Sequence, residues 1–261
     1  MPNLPTIAYP RHVYESYHDL RRLVELAQFP TCYVDEIDPG ATGAVYILPI
    51  QNSEVDAAGA HWHGAKARII RWLFEWERYP DVPGVSETWC SDPWWSEQIN
   101  ARYVPLGSDK RLRDTNPGKH AEITYDAAYM GYMIPRRDHI HHALNEMGVS
   151  LSPKSAWGAE RDAVLNASRV YLQVHQRPEA RTIAPLRVVV AAAYRLPYIT
   201  ETVESRGILY HNLMTCAYSF IPQFVRNWTK EPSTQLADLG QGLYQTLCVH
   251  HPFDQTVLNS L

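Results

Sequence analysis

Three arginines occupy positions where a cation is ordinarily disfavoured. Gly131-Tyr132-Met133-Ile134-Pro135-Arg136-Arg137 is a glycine turn running into a helix, and Arg187 falls just after Pro185 in the first turn of another. A positive charge there opposes the helix macrodipole. An anion bound at the same place reverses the sign of the effect, and arginine forks match phosphate oxygens in strength and direction. The combination reads as a site for a nucleotide diphosphate. His175-Gln176-Arg177-Pro178-Glu179 follows a strand pattern and Glu201 ends the next one. Both therefore fall beyond the carboxyl ends of strands, where open parallel sheets bind ligands.

The elements that must position these residues alternate between strand and helix. From Arg11 to Phe29, Val13, Tyr17, Leu20, Val24 and Ala27 recur at helical spacing. That helix is expected to open the chain. Strands are predicted over Thr31 to Ile37, Ala44 to Pro49, Arg68 to Phe74, Ser86 to Ser91 and Arg102 to Leu106. Val45-Tyr46-Ile47-Leu48 is apolar on both faces, as in a covered parallel sheet. Further on, strands are predicted over Tyr125 to Met130, Arg169 to Val174 and Pro197 to Thr200. Helices are predicted over Arg136 to Met147, Gly158 to Ser168, Ala184 to Arg195 and Ser233 to Cys248. Strand, helix, strand in this order implies right-handed crossovers and parallel sheets. The polar stretch from Gly107 to Glu122 marks a domain boundary. The expectation is an α/β chain of two Rossmann-like domains, 1–118 and 119–261.

Composition narrows the function. A net charge of −4 over 261 residues argues against whole-molecule electrostatic binding of nucleic acid, while leaving room for a local basic patch such as Lys110-Arg111-Leu112-Arg113. That stretch reads most simply as a solvated linker. The longest apolar run, Val188 to Tyr194, is far below the roughly 20 residues that span a bilayer. The four cysteines are scattered without a C-x-x-C pair, so neither a disulfide framework nor a cysteine zinc site is expected. His139-Ile140-His141-His142 reads as a solvated helix face, since no carboxylate or further ligand follows at metal-site spacing. Met1-Pro2-Asn3-Leu4-Pro5 lacks the marks of a signal peptide, so a cytoplasmic protein is expected. Eight Trp and sixteen Tyr against five Phe favour rings with polar edges, suited to stacking sugars or bases. Trp89, Trp94 and Trp95 around Ser91-Asp92-Pro93 are candidates for such a platform, or for packing between the halves. Signatures of nucleoside triphosphatases, classical dehydrogenases and serine hydrolases are absent.

Gly131 with Arg136-Arg137, Trp157-Gly158-Ala159-Glu160-Arg161-Asp162, Val174-His175-Gln176 and the run from Ala184 to Glu201 together resemble the donor half of a GT-B glycosyltransferase. The likeness is to small group-1-like enzymes of bacteria and their phages, and it covers about residues 125 to 215. It implies two Rossmann-like domains facing across a cleft, with a nucleotide sugar bound by the second. Carried over, Arg137 and Arg187, with Arg136 beside them, hold the donor diphosphate. Trp157-Gly158 lies against the nucleobase, and His175 and Gln176 face the sugar and phosphates. Val190 and Thr182 stand where relatives carry glutamates, and Arg195 where a glycine is usual. Glu179 or Glu201 would then hold the donor ribose.

The first half is left to supply the acceptor pocket. An inverting enzyme needs a general base there, and His63 or Glu77 is preferred over the neighbouring His61 and Glu75. A retaining enzyme can pass the proton to the donor phosphate and needs none. No metal or other cofactor is expected beyond the nucleotide sugar as co-substrate. The acceptor classes are a glycan, a protein, a small molecule or a hydroxylated base in DNA, the last suggested by the phage likeness and by Lys110 to Arg113. Departures at Val190 and Thr182 keep open a non-catalytic nucleotide-binding or scaffolding protein on the same fold.

Overall fold

The computed structural model describes residues 4–11, 18–50, 62–74, 83–114, 122–153, 156, 158–230 and 234–261. His61, Glu75, Glu77 and Trp157 lie outside the described residues. The chain divides into two compact units. One comprises Met1–Leu106, Ala184–Leu186 and Phe253–Leu261; the other comprises Gly107–Ile183 and Arg187–Pro252.

The first unit is built on β1 (Thr6–Tyr9), β2 (Thr31–Tyr33), β3 (Val45–Ile50), β4 (Arg68–Leu73), β5 (Glu87–Cys90) and β6 (Arg102–Tyr103). They form one parallel sheet in the order β2-β1-β3-β4-β5-β6. Helix α1 (His18–Leu26) buries Leu20 and Val24 of the expected stripe, and Leu23 beside them. Helix α2 (Pro93–Gln98) starts on Asp92, whose Oδ1 accepts the Trp95 amide at 2.9 Å. A strand, rather than a helix, comes first among the described elements. Thr6–Tyr9 is too short to show a period, yet it pairs with both β2 and β3 and is almost wholly buried. The strand predicted to reach Ile37 stops at Tyr33, where Glu36 Oε2 accepts the Tyr33 amide at 2.8 Å and tightens the chain into a 3-10 turn. Trp62, Trp72 and Trp89 are fully buried, so Trp89 is core and not a platform. Trp94 and Trp95 stack on each other at 5.9 Å and stay half-buried.

The second unit holds α3 (Arg111–Asp114), β7 (Tyr125–Tyr129), α4 (Pro135–Glu146), α5 (Gly158–Asn166), β8 (Ser168–Leu172), α6 (Pro185–Ala193), β9 (Tyr198–Glu201), β10 (Leu213–Cys216), α7 (Ile221–Thr229) and α8 (Thr234–Tyr244). Its sheet is parallel, in the order β10-β9-β8-β7. The core joins Ala127, Tyr129, Val170, Leu172 and Ile199 of the sheet to Ile140 and Leu144 of α4 and Val225 of α7. Helix α6 is apolar nearly all round, with Val188 to Ala193 all buried. Strand β10 is too short to show a period, whereas α7 carries one that the sequence reading missed, Ile221, Phe224, Val225 and Trp228 on one face after Pro222. The helix expected to reach Cys248 changes to a π-helical turn after Tyr244.

The two units divide between Leu106 and Gly107, and Phe253–Leu261 groups with the first of them. Ser108 is fully buried in the second unit, with its Oγ donating to Val189 O at 2.7 Å and its amide to Leu247 O at 3.1 Å. Asp109 ties Arg111 through paired hydrogen bonds and Leu112 is buried, so Lys110 to Arg113 is an anchored segment and not a linker. At the other end, α9 (Phe253–Asn259) belongs to the first unit, where Phe253 stacks on Trp72 with ring centroids 6.1 Å apart. A fully buried aromatic ring gains more by joining a neighbouring core than by staying with the element before it in sequence.

Candidate functional site

The loop after β7 turns at Gly131, whose φ of +136° suits glycine and few other residues. The absence of a side chain there is filled by two guanidinium groups. A Cβ built on Gly131 would lie 3.1 Å from Arg137 Nη1 and 3.1 Å from Arg187 Nη2. Arg137 is only 5% exposed and donates to Val174 O at 2.9 Å and Tyr132 O at 3.0 Å. Arg187 is half-buried and donates to Met130 O at 3.1 Å. Both side chains come from the first turns of helices that start beside strand ends, α4 after β7 and α6 after β8. Two guanidinium groups thus meet at one glycine beyond the strand ends, where arginine forks suit the oxygens of an anion such as a phosphate.

Arg136, one residue away, is used differently. Its Nη1 and Nη2 reach Glu201 Oε1 and Oε2 at 2.7 and 2.5 Å, a bidentate pair with both side chains mostly buried. Glu201 Oε1 also accepts the His175 amide at 2.7 Å. Tyr218, in the turn after β10, completes the arrangement: its ring centroid lies 3.8 Å from Arg136 Cζ and its hydroxyl donates to Arg136 O at 2.8 Å. The charge of Arg136 is therefore neutralised inside the protein, and Glu201 is engaged at both oxygens. The pair fixes the start of α4 against the loop that follows β8. Nothing in the sequence marks Tyr218 for this role, since it stands outside every motif.

His175 is buried beside these groups, with Nε2 at 3.4 Å from Thr200 Oγ1. Burial pushes its pKa below the usual histidine value; Glu201 opposes this, and the cations Arg136, Arg137 and Arg187 add to the lowering. It is thus a neutral hydrogen-bonding group at physiological pH. Gln176 and Glu179 are exposed on the turn that follows. Gly158 opens α5 at φ +56°, and a Cβ there would meet nothing within 4 Å, so space adjoins it. The structure therefore brings Gly131, Arg136, Arg137, His175, Arg187 and Glu201 together at the carboxyl end of one sheet. His63 lies exposed in a short turn of the other unit. His139 and His142 are exposed on α4, and no cluster of metal-ligating side chains occurs among the described residues.

No protein-family model matches the chain, and no curated protein matches it. Solved structures do. AviGT4, a glycosyltransferase involved in avilamycin A biosynthesis, superposes with a TM-score of 0.61 at 12% identity, covering 98% of this chain and 96% of that one. The DNA-modifying enzyme β-glucosyltransferase superposes at 0.59 with 10% identity, covering 98% of each chain. The fold is that of the GT-B glycosyltransferases. A UDP-forming α,α-trehalose-phosphate synthase from Burkholderia vietnamiensis also matches, at 0.55 and 9% identity, over 94% of this chain and 75% of that one. The GT-B likeness thus runs through both units and extends beyond the segment whose motifs carried it in the sequence. No described helix is long and apolar enough to cross a membrane.

Proposed function

We propose that the chain transfers a sugar from a nucleotide-sugar donor to an acceptor hydroxyl, with the donor diphosphate in the Gly131 corner. The observation that carries this is the convergence of Arg137 and Arg187 on a glycine at the carboxyl end of a parallel sheet. In such a transfer the bond between the anomeric carbon and the diphosphate oxygen breaks, and negative charge grows on the leaving group. Two guanidinium groups already held in place stabilise that charge without reorganising. They supply the role a divalent cation fills elsewhere, so turnover is expected to persist in a chelator. His175 and Gln176 face the donor sugar or phosphates. Arg136 and Glu201 act on this reading as positioning residues, and the ribose is left to another group. The acceptor proton passes to His63 or Glu77 if the sugar inverts, or to the donor phosphate if it is retained.

Calorimetric titration with nucleoside diphosphates tests the reading. Arg187→Ala is expected to bind roughly tenfold to a hundredfold more weakly, the loss of one charged hydrogen-bond partner. Unchanged affinity for every nucleotide that binds the parent would refute it. Tight nucleotide binding without turnover of any sugar donor would instead mark a binding or scaffolding protein.

For the acceptor, we propose a hydroxylated base in DNA. One structural neighbour is a DNA-modifying β-glucosyltransferase, which supports this reading. So does the ordered basic segment at Lys110, Arg111 and Arg113. Incubation with a panel of nucleotide sugars and 5-hydroxymethylpyrimidine DNA, followed by nucleoside mass analysis, decides it. Absence of any sugar mass, with turnover shown on a glycan or protein acceptor, removes DNA. Acceptor affinity that falls steeply as salt rises is the accompanying sign, because phosphate contacts release counterions.

A further inference from the structure

The four-stranded unit carries a second concavity at the end of its sheet opposite Gly131. A cavity of about 680 Å³ opens where β8 and β9 begin, and small-ligand sites typically measure about 300–1,000 Å³. Leu165, Leu196 and Leu236 give it apolar walls, and Arg113, Arg169 and Arg195 line it with positive charge. Arg169 faces Asp126 at 3.5 Å. Arg195 lies with its Cζ 4.4 Å from the Tyr244 ring centroid, and among the described residues neither Arg113 nor Arg195 has an acid partner.

Arg195 supplies an independent observation. Its φ is +56°, a left-handed conformation that glycine adopts freely and a residue with a Cβ adopts at some cost. The position is tightly held, since a Cβ added to Gly240 of α8 would sit 2.1 Å from Arg195 O. The backbone thus asks for glycine and receives arginine. The turn closes α6, with the Arg195 amide donating to Ala192 O at 3.0 Å and the Leu196 amide to Ala191 O at 2.9 Å, so a glycine would hold the same backbone and the side chain is free to serve the cavity.

We infer that this cavity binds an amphipathic anion, with an apolar body against the three leucines and a phosphate or carboxylate head on Arg195 and Arg113. The probe is decyl phosphate below its micelle concentration, titrated calorimetrically into the full chain, with decanol as the neutral control. The parent is expected to bind one equivalent of decyl phosphate and decanol at least tenfold more weakly. Arg195→Gly is expected to lose at least tenfold in affinity while its thermal midpoint stays level or rises, because the substitution relieves the left-handed residue. Arg113→Gln gives the same reading without touching the left-handed position, and nucleotide affinity is unchanged in Arg195→Gly. Absence of decyl phosphate binding, equal binding of decanol, or full affinity in both variants overturns the inference.

Discussion

Both sheets are parallel and both units use arginine, but at opposite ends of their strands. In the six-stranded unit, Arg68, Glu87 and Arg102 are the first residues of β4, β5 and β6. Glu87 bridges the two arginines at 2.5 and 3.4 Å, and they donate onward to the carbonyls of Leu261 and Ser260. Each charge there has an opposite charge or a carbonyl beside it. In the four-stranded unit, Arg137 and Arg187 lie past the strand ends, donate to backbone carbonyls and lean on the same glycine. One arrangement closes a structure around a shared carboxylate, while the other sets two guanidinium groups at the place where a parallel sheet receives ligands. Arginine count does not separate them. The first delivers a carboxylate between two arginines, and the second delivers two arginines to one glycine.

The largest expected effect tests the clearest case of such delivery. Glu201→Ala strands the mostly buried Arg136 and frees the His175 amide, and is expected to cost about 3 kcal/mol of stability, the low end for breaking a buried pair. Urea denaturation measures it; a loss below about 1 kcal/mol, the scale of an exposed pair, would show that the pair is not structural. Next come Arg137→Ala and Arg187→Ala, each expected to weaken nucleotide diphosphate binding by about 1.5 to 3 kcal/mol in calorimetry. Stability should change less in Arg187→Ala than in Glu201→Ala. Equal stability losses in the two variants would erase the contrast between a binding and a structural arginine. Glu87→Ala follows, expected to cost about 1 kcal/mol or less because its partners are partly exposed, with nucleotide affinity unchanged.

The smallest effect is in pH dependence. His175 has its pKa lowered by burial, so the unfolded chain takes up a proton that the folded chain resists. Stability is full above the ordinary histidine value of 6.5 and declines as the pH falls below it. Burial also disfavours ionised Glu87, but Arg68, Trp89 and Arg102 outweigh that and hold its pKa below the usual 4.5. Its contribution persists through the histidine range and is lost only at more acid pH. Denaturation across a pH series should therefore show two separate declines, and His175→Gln should shrink the first, to which the likewise lowered His251 also contributes, and leave the second. A single decline that His175→Gln leaves in place would contradict the assignment.

Much of this was legible in the chain. The predicted Tyr125 to Met130, Arg136 to Met147 and Ala184 to Arg195 fall within a residue or two of β7, α4 and α6. Their apolar spacing, Pro135, Pro185 and Gly148 are local signals that neighbouring elements do not override. Of the elements missed, β1 and β10 are four-residue strands too short to show a period, while α7 carried one at Ile221, Phe224, Val225 and Trp228 behind Pro222. The catalytic preference for Glu77 and the place of Trp157 lie outside the described residues. His63 is described only as an exposed turn residue.

Residue types and spacing alone determined that three arginines start helices beside strand ends, because helix starts and strand runs are written within a few residues. They could not say which arginine would meet a carboxylate. Arg136 and Glu201 are 65 positions apart, and Tyr218 is 82 from Arg136. Adjacent residues on a helix point about 100° apart, so Arg136 turns toward β9 while Arg137 turns toward Gly131 and Arg187. That division of roles was decided by strand order and helix rotation, which place the partner charges, and by the glycine that leaves room for two guanidinium groups.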